Sequence, residues 1–105
     1  MLNPREIDVL NILWQNTEPM MAYDIVNKGD MRLTQSTVTS VLRKMLNNGL
    51  VEVVGVTHSG KVLSRTYRPT EKSKQIIVQN FVELYKSFES VISIDELVKE
   101  IKESE

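Results

Sequence analysis

The hydrophobic rhythm of this 105-residue chain changes twice. From Asn3 to Asn48 apolar residues recur at helical spacing. From Leu50 to Pro69 they come in short valine-rich runs with partial alternation, and from Lys74 onward the helical spacing returns. In the first segment Ile7, Leu10, Leu13 and Trp14 fall at i, i+3, i+6 and i+7, one apolar stripe. Asn3 can cap that helix, Pro4 suits its first position, and Glu6 completes a capping-box spacing with Asn3. The expected helix therefore ends near Gln15, with Asn16 to Pro19 as a turn. Met21 to Lys28 reads as a short second helix with Ala22, Ile25 and Val26 inward and Gly29 stopping it. The third helix is the clearest. Val38, Val41, Leu42, Met45 and Leu46 fill the i, i+3, i+4, i+7, i+8 template, Thr34 is a plausible cap, and Gly49 sits where a left-handed residue ends a helix.

The stretches "LVEVVGV" and "KVLSRTYRP", separated by "THSG", predict a β-hairpin, with Pro69 ending its second strand. Thr70 to Ser73 reads as a polar connection. Lys74 to Phe88 then predicts a fourth helix whose main stripe is Ile77, Phe81, Leu84, Tyr85 and Phe88, and "SIDE" at Ser93 to Glu96 opens a last helix with Ile94, Leu97, Val98 and Ile101 on one face. Three helices followed by a hairpin is the element order of a winged helix-turn-helix. The expected fold is thus mainly α with a small β-hairpin: a winged helix-turn-helix over residues 1–70 and C-terminal helices over residues 71–105.

The third helix is built from unpromising material. Five of the seven residues from Thr34 to Ser40 carry hydroxyls, and such residues favour caps and turns over helix interiors. On a helical projection Ser36, Ser40, Arg43 and Asn47 point away from the apolar stripe. Thr37 and Lys44 flank one edge of that polar face, and Thr39 the other. The face holds no acid, whereas a solvated helix ordinarily mixes glutamate with lysine. Short donors and acceptors with two cations further along suit a helix lying in a DNA major groove. The hydroxyls would meet phosphates or base edges, Gln35 would pair with adenine, and Arg43 and Lys44 would take phosphates or a guanine edge. The bland reading of the same helix is a solvated surface whose hydroxyls cap and back-bond. In the hairpin, Lys61 sits just beyond the tip, with Arg65 and Arg68 on the return strand, as a wing touching phosphates requires. His58, the only histidine, is placed in the turn, and without a neighbouring Cys, His or acid it makes no metal site.

Net charge is −1 for the whole chain, which by itself argues against a nucleic-acid partner. Its distribution reverses that inference. Residues 32–68 carry six cations against Glu52 alone, a balance of +5, and residues 71–105 carry five lysines against eight acids, a balance of −3. A basic centre with an acidic tail indicates a local polyanion footprint and a separate element doing other work. No cysteine is present, which removes disulfides, thiolate metal sites and cysteine nucleophiles. With one histidine, no glycine-rich phosphate loop and no acid pair in apolar surroundings, an enzyme is not expected, and no cofactor is implied. The N-terminal stretch lacks a signal-peptide pattern and no apolar run approaches a membrane span, so the expected location is the cytoplasm.

"LNPREIDVLNILW", "MAYDIV", "LTQSTVTSVLRKMLNNGLVE" and "TYRP" together resemble the penicillinase repressor family of winged-helix transcriptional regulators, in register over residues 2–70. The resemblance implies a homodimeric repressor on a palindromic operator, with recognition contacts from Gln35, Ser36, Thr37, Thr39, Ser40, Arg43 and Lys44. Family members often carry lysine or proline where Ser36 and Gln35 stand, so an operator sequence does not transfer. The family's C-terminal tail dimerises, and in β-lactam-responsive members a partner protease cuts it. Copper-responsive members carry a C-terminal cysteine cluster that this sequence lacks, so the releasing signal, protease or ligand, stays open.

The apolar surface after Lys74 is wider than one small winged helix can cover, and a two-fold mate is the common solution. Ile77, Phe81, Leu84, Tyr85, Phe88, Leu97 and Ile101 are the expected dimerisation residues. Two other readings remain at this level: a winged helix used to bind protein, and a ligand-responsive regulator with no repressor role.

Overall fold

A computed structural model of the chain describes residues 1–29 and 33–104. Its elements are α1 (Pro4–Gln15), α2 (Ala22–Lys28), α3 (Gln35–Asn47), β1 (Val51–Ser59), β2 (Val62–Pro69), α4 (Glu71–Phe88) and α5 (Ile94–Glu103). The capping box at α1 forms as the sequence predicts: the Glu6 amide donates to the Asn3 side chain at 2.9 Å, and Glu6 Oε1 accepts from the Asn3 amide at 3.0 Å. Thr34 caps α3 by accepting from the Thr37 amide at 3.1 Å.

At the other end of α3, Gly49 adopts φ 75°. Its amide donates to Leu46 O at 3.2 Å, and the Leu50 amide reaches Met45 O at 2.8 Å. This is a Schellman ending, in which a left-handed residue lets two orphan carbonyls find donors. Gly29 ends α2 differently. It is not left-handed, and a side chain there would come within 2.4 Å of Leu33 Cδ1, so its absence makes room for the buried Leu33.

Val9, Leu10, Leu13, Ile25, Leu33, Val38, Leu42, Met45, Leu50 and Val51 form the core where α1, α2, α3 and the start of β1 meet. Each such side chain contributes roughly 1.5–3 kcal/mol on burial. The expected α1 stripe is displaced by one position: Val9 is buried, and Ile7 lies at the edge, partly open to solvent.

The hairpin pairs Val51 with Pro69 through Ser59 with Val62, interrupted by a bulge between Val53 and Gly55. The turn is Gly60–Lys61, with Gly60 at φ 65°. A two-residue hairpin loop needs a positive φ at its first central position when it takes the II′ form, and only glycine does this without strain. The predicted turn "THSG" is therefore corrected. Thr57, His58 and Ser59 continue β1, and His58 pairs with Leu63 rather than sitting at the tip. A third strand-like contact anchors the sheet to the helices: Met20 and Tyr67 exchange backbone hydrogen bonds of 2.9 and 2.8 Å.

The fourth helix begins three residues before its predicted start. Thr70 caps it by accepting from the Ser73 amide, and Thr70 Oγ1 donates to Gly49 O at 2.7 Å. Among the described residues of α4 and α5, only Ser73 is buried. The radius of gyration, 16.2 Å, exceeds the ~13 Å of a compact chain of about this length, and the longest dimension is 55 Å. The excess length reflects a helical arm that finds little of its own chain to pack against.

Candidate nucleic-acid interface

The inward face of α3 is fixed by Val38, Leu42 and Met45, all buried, with Val41 and Leu46 half-buried beside them. That packing forces the opposite face outward. Gln35, Ser36, Thr39, Ser40 and Arg43 are exposed, as are Lys44 and Asn47. Thr37 is half-buried, and its hydroxyl accepts from Thr34 Oγ1 at 2.9 Å, so it serves the cap as well as the edge of the face. The predicted ridge of alcohols leading to a cation is therefore present on one side of one helix. The free amides of its first turn add partial positive charge at the same end.

The cations are not equivalent. Lys44 Nζ lies 3.9 Å from Glu6 Oε2. Glu6 is 4 % exposed and is held by its capping role, so it forms a fixed negative point beside α3 that draws Lys44 toward α1. Arg68 is engaged by Glu52 across the hairpin. Among the described residues, Arg43, Lys61 and Arg65 have no carboxylate within 4.0 Å, leaving one cation on the helix face and two on the hairpin. Arg32, counted in the basic centre of the sequence, lies outside the described residues.

The hairpin starts only three residues after α3. Lys61 occupies its tip and Arg65 pairs with Val56 on the return strand; both are exposed. Backbone alternation puts Arg65 on the same face of β2 as Tyr67, whose side chain packs against the core. The wing is held at its base by Tyr67 and Met20, while its outer half is free of the core.

Sequence reasoning did not anticipate three of these relationships. The first two are the pairings of Lys44 with Glu6 and of Arg68 with Glu52, which depend on tertiary placement. The third is Ser73, read as part of a loop and found buried against Trp14. A signal for the last existed, since Thr70 and Ser73 stand at N-cap and N3 spacing.

Of the expected dimerisation residues, Phe81, Leu84, Phe88 and Ile101 are exposed, while Ile77, Tyr85 and Leu97 are half-buried. Tyr85 spends its hydroxyl on Ile92 O at 3.1 Å, closing the turn between α4 and α5. Among the described residues no helix is long and apolar enough to cross a membrane.

Solved structures similar in fold include proteins described as transcriptional regulators. PadR of Bacillus subtilis, in complex with operator DNA, superposes with a TM-score of 0.63 at 18% identity, over 78% of this chain and 49% of that one; this chain thus spans about half the length of that protein. A PadR family transcriptional regulator from Eggerthella lenta gives 0.60 at 19% identity, covering 79% and 76% of the two chains. A MarR family protein from Bacillus stearothermophilus gives 0.53 at 25% identity, covering 94% and 68%. Comparison with curated protein sequences finds no match. The profile of the penicillinase repressor family matches residues 2–105, and the chain, a winged-helix protein of regulatory rather than enzymatic kind, belongs to that family.

Proposed function

We propose that this protein is a transcriptional repressor that binds a palindromic DNA operator as a homodimer. The carrying observation is the solvent-exposed, acid-free outer face of α3, with Gln35, Ser36, Ser40 and Arg43 on a helix whose other side is locked into the core. Membership of the penicillinase repressor family supports the same reading. In it α3 enters the major groove, Arg43 takes a phosphate or guanine edge, the hydroxyls read or anchor at close range, and Lys61 and Arg65 hold the wing against neighbouring phosphates.

Residues 1–70 form the DNA-binding unit and residues 71–105 the dimerisation arm, whose exposed apolar side chains need a covering surface. Two copies present two α3 ridges to one duplex, with half-sites about one helical turn of DNA apart or a multiple of it. The acidic arm stays off the phosphates, and the protein works in the cytoplasm beside its DNA. Selection of bound fragments from random double-stranded DNA, followed by mobility shift at several salt concentrations, tests this reading. An inverted-repeat consensus with affinity falling steeply in salt is expected; no enrichment over random sequence, or binding indifferent to salt, overturns it.

A further inference from the structure

We infer that Glu6 is a positioning residue for DNA binding: it holds Lys44 back from the duplex, lowers affinity for DNA of every sequence, and leaves recognition to Arg43 and the α3 hydroxyls. This rests on the DNA-binding reading and gives a task to a residue outside the recognition helix.

Glu6 stands at the third position of α1, and both of its oxygens are committed. Oε1 accepts from the Asn3 amide at 3.0 Å, and Oε2 lies 3.9 Å from Lys44 Nζ. The Glu6 amide in turn donates to the Asn3 side chain at 2.9 Å. The carboxylate is thus fixed by its own helix start, and its side chain is only 5 % exposed, against 59 % for Lys44. The acid is the anchor and the lysine, on its flexible four-carbon stem, is the partner that can move.

A cleft of about 730 Å³ opens between the start of α1, the end of α3 and α4, and Glu6, Lys44, Lys72 and Glu83 are its charged side chains. Among the described residues, Lys44 is the one cation within 4.0 Å of Glu6. If Lys44 swings to a DNA phosphate, it exchanges one anion for another. It also leaves a nearly buried carboxylate without its cation, and such a charge is costly. The new contact is offset on both counts. Arg43, one position earlier and with no carboxylate to leave, gives its full contribution. A lysine–phosphate contact carries no sequence information, so holding Lys44 back trims the part of binding that all sequences share.

Glu6→Gln separates this role from the structural one. Glutamine at this position of a capping box still accepts from the cap amide, so the helix start is kept while the charge is removed. The full-length variant is titrated on random duplex and on a selected operator at three or more salt concentrations, with a thermal melt in parallel. Affinity for both DNAs should rise by about three- to five-fold, and the slope of log affinity against log salt should steepen by ~1. The double variant Glu6→Gln/Lys44→Ala should return to the affinity and slope of Lys44→Ala alone. A folded Glu6→Gln protein that binds no more tightly than the parent overturns the inference, as does a gain that survives in the double variant. Lys44→Ala, on an exposed position, gives a second check that does not depend on Glu6→Gln folding. A salt slope flattened by ~1 in that variant would put Lys44 on a phosphate already and overturn the inference while leaving the DNA-binding reading intact. A parent that binds no DNA removes both.

Discussion

The indole N–H of Trp14 donates to the hydroxyl of Ser73 across 3.0 Å, joining α1 to the first turn of α4 over 59 residues of sequence. Ser73 in turn donates to Thr70 O at 2.6 Å, and Lys74 Nζ stands 5.5 Å from the centre of the Trp14 ring. This joint sets the angle at which the arm leaves the winged helix. In the proposed dimer that angle would bear on how far apart the two α3 ridges lie.

Changing Ser73 to alanine removes the acceptor for Trp14 and leaves a half-buried N–H unpaired, at a cost of about 1–2 kcal/mol. For a domain of this size that corresponds to a fall of several degrees in Tm. Trp14 is the only tryptophan, so its fluorescence reports the joint directly and should change in the variant. A melting curve and emission spectrum identical to those of the parent would show that the joint contributes nothing.

Arg43 and Lys44 are adjacent in sequence and differ in surroundings, and their alanine variants should differ accordingly. Arg43→Ala removes the cation of the outer α3 face that has no carboxylate within 4.0 Å among the described residues. Affinity for the selected operator should fall by about 1–3 kcal/mol, and the slope of log affinity against log salt should flatten by ~1. Lys44→Ala removes a side chain already drawn to Glu6, so its loss should be clearly smaller. Mobility shifts at three or more salt concentrations decide between them, and equal losses would show that Lys44 leaves Glu6 to reach DNA.

How much of this was legible beforehand differs by element. Most helices and caps could be read because the information is local: Asn3 with Glu6, Thr34 before α3 and Gly49 after it all act within one turn, whereas the Thr70 cap of α4 reads in sequence as a connection. The outward face of α3 followed from the five apolar positions opposite it. The hairpin turn was misplaced because "THSG" offers turn-forming residues over four positions, and the register that selects Gly60 and Lys61 is set by the pairing of the whole ladder. The different fates of Arg43, Lys44 and Arg68 were hidden for a similar reason. Each depends on which acid a neighbouring element brings close, and sequence distance gives no hint that Glu6 approaches Lys44.

The wing allows a separate test of sequence-independent binding. Lys61 is the residue at the hairpin tip, where no base edge need be in reach. Lys61→Ala should weaken binding to cognate and random DNA by a similar factor, with a salt slope reduced by ~1. A loss confined to the cognate sequence would assign Lys61 to base readout.

Gly49 tests the link between α3 and the rest of the fold. At φ 75° a side chain costs roughly 1–2 kcal/mol, and the added Cβ would stand 3.4 Å from Lys72 Nζ, which can move aside. Gly49→Ala should therefore lower stability by about that amount in chemical denaturation with an unchanged m-value. An unaffected midpoint would mean that the end of α3 can unwind without loss.

The dimer prediction joins the arm to the recognition face. Phe81 is exposed in the single chain, so replacing it with aspartate removes little from the fold of one protomer. Placing a carboxylate in an apolar interface is costly, because a buried charge without a partner loses its hydration and gains nothing in return. Phe81→Asp should give a folded monomer by light scattering. Each good base contact contributes roughly 1–3 kcal/mol, so a monomer that reaches only one half-site forfeits about half of the total. Even a loss of ~3 kcal/mol is more than 100-fold in affinity. The variant should bind a full operator no better than an isolated half-site, while the parent discriminates between them by at least about that factor. Undiminished discrimination by a monomeric Phe81→Asp protein would place sequence recognition within a single winged helix and leave the arm with some other task.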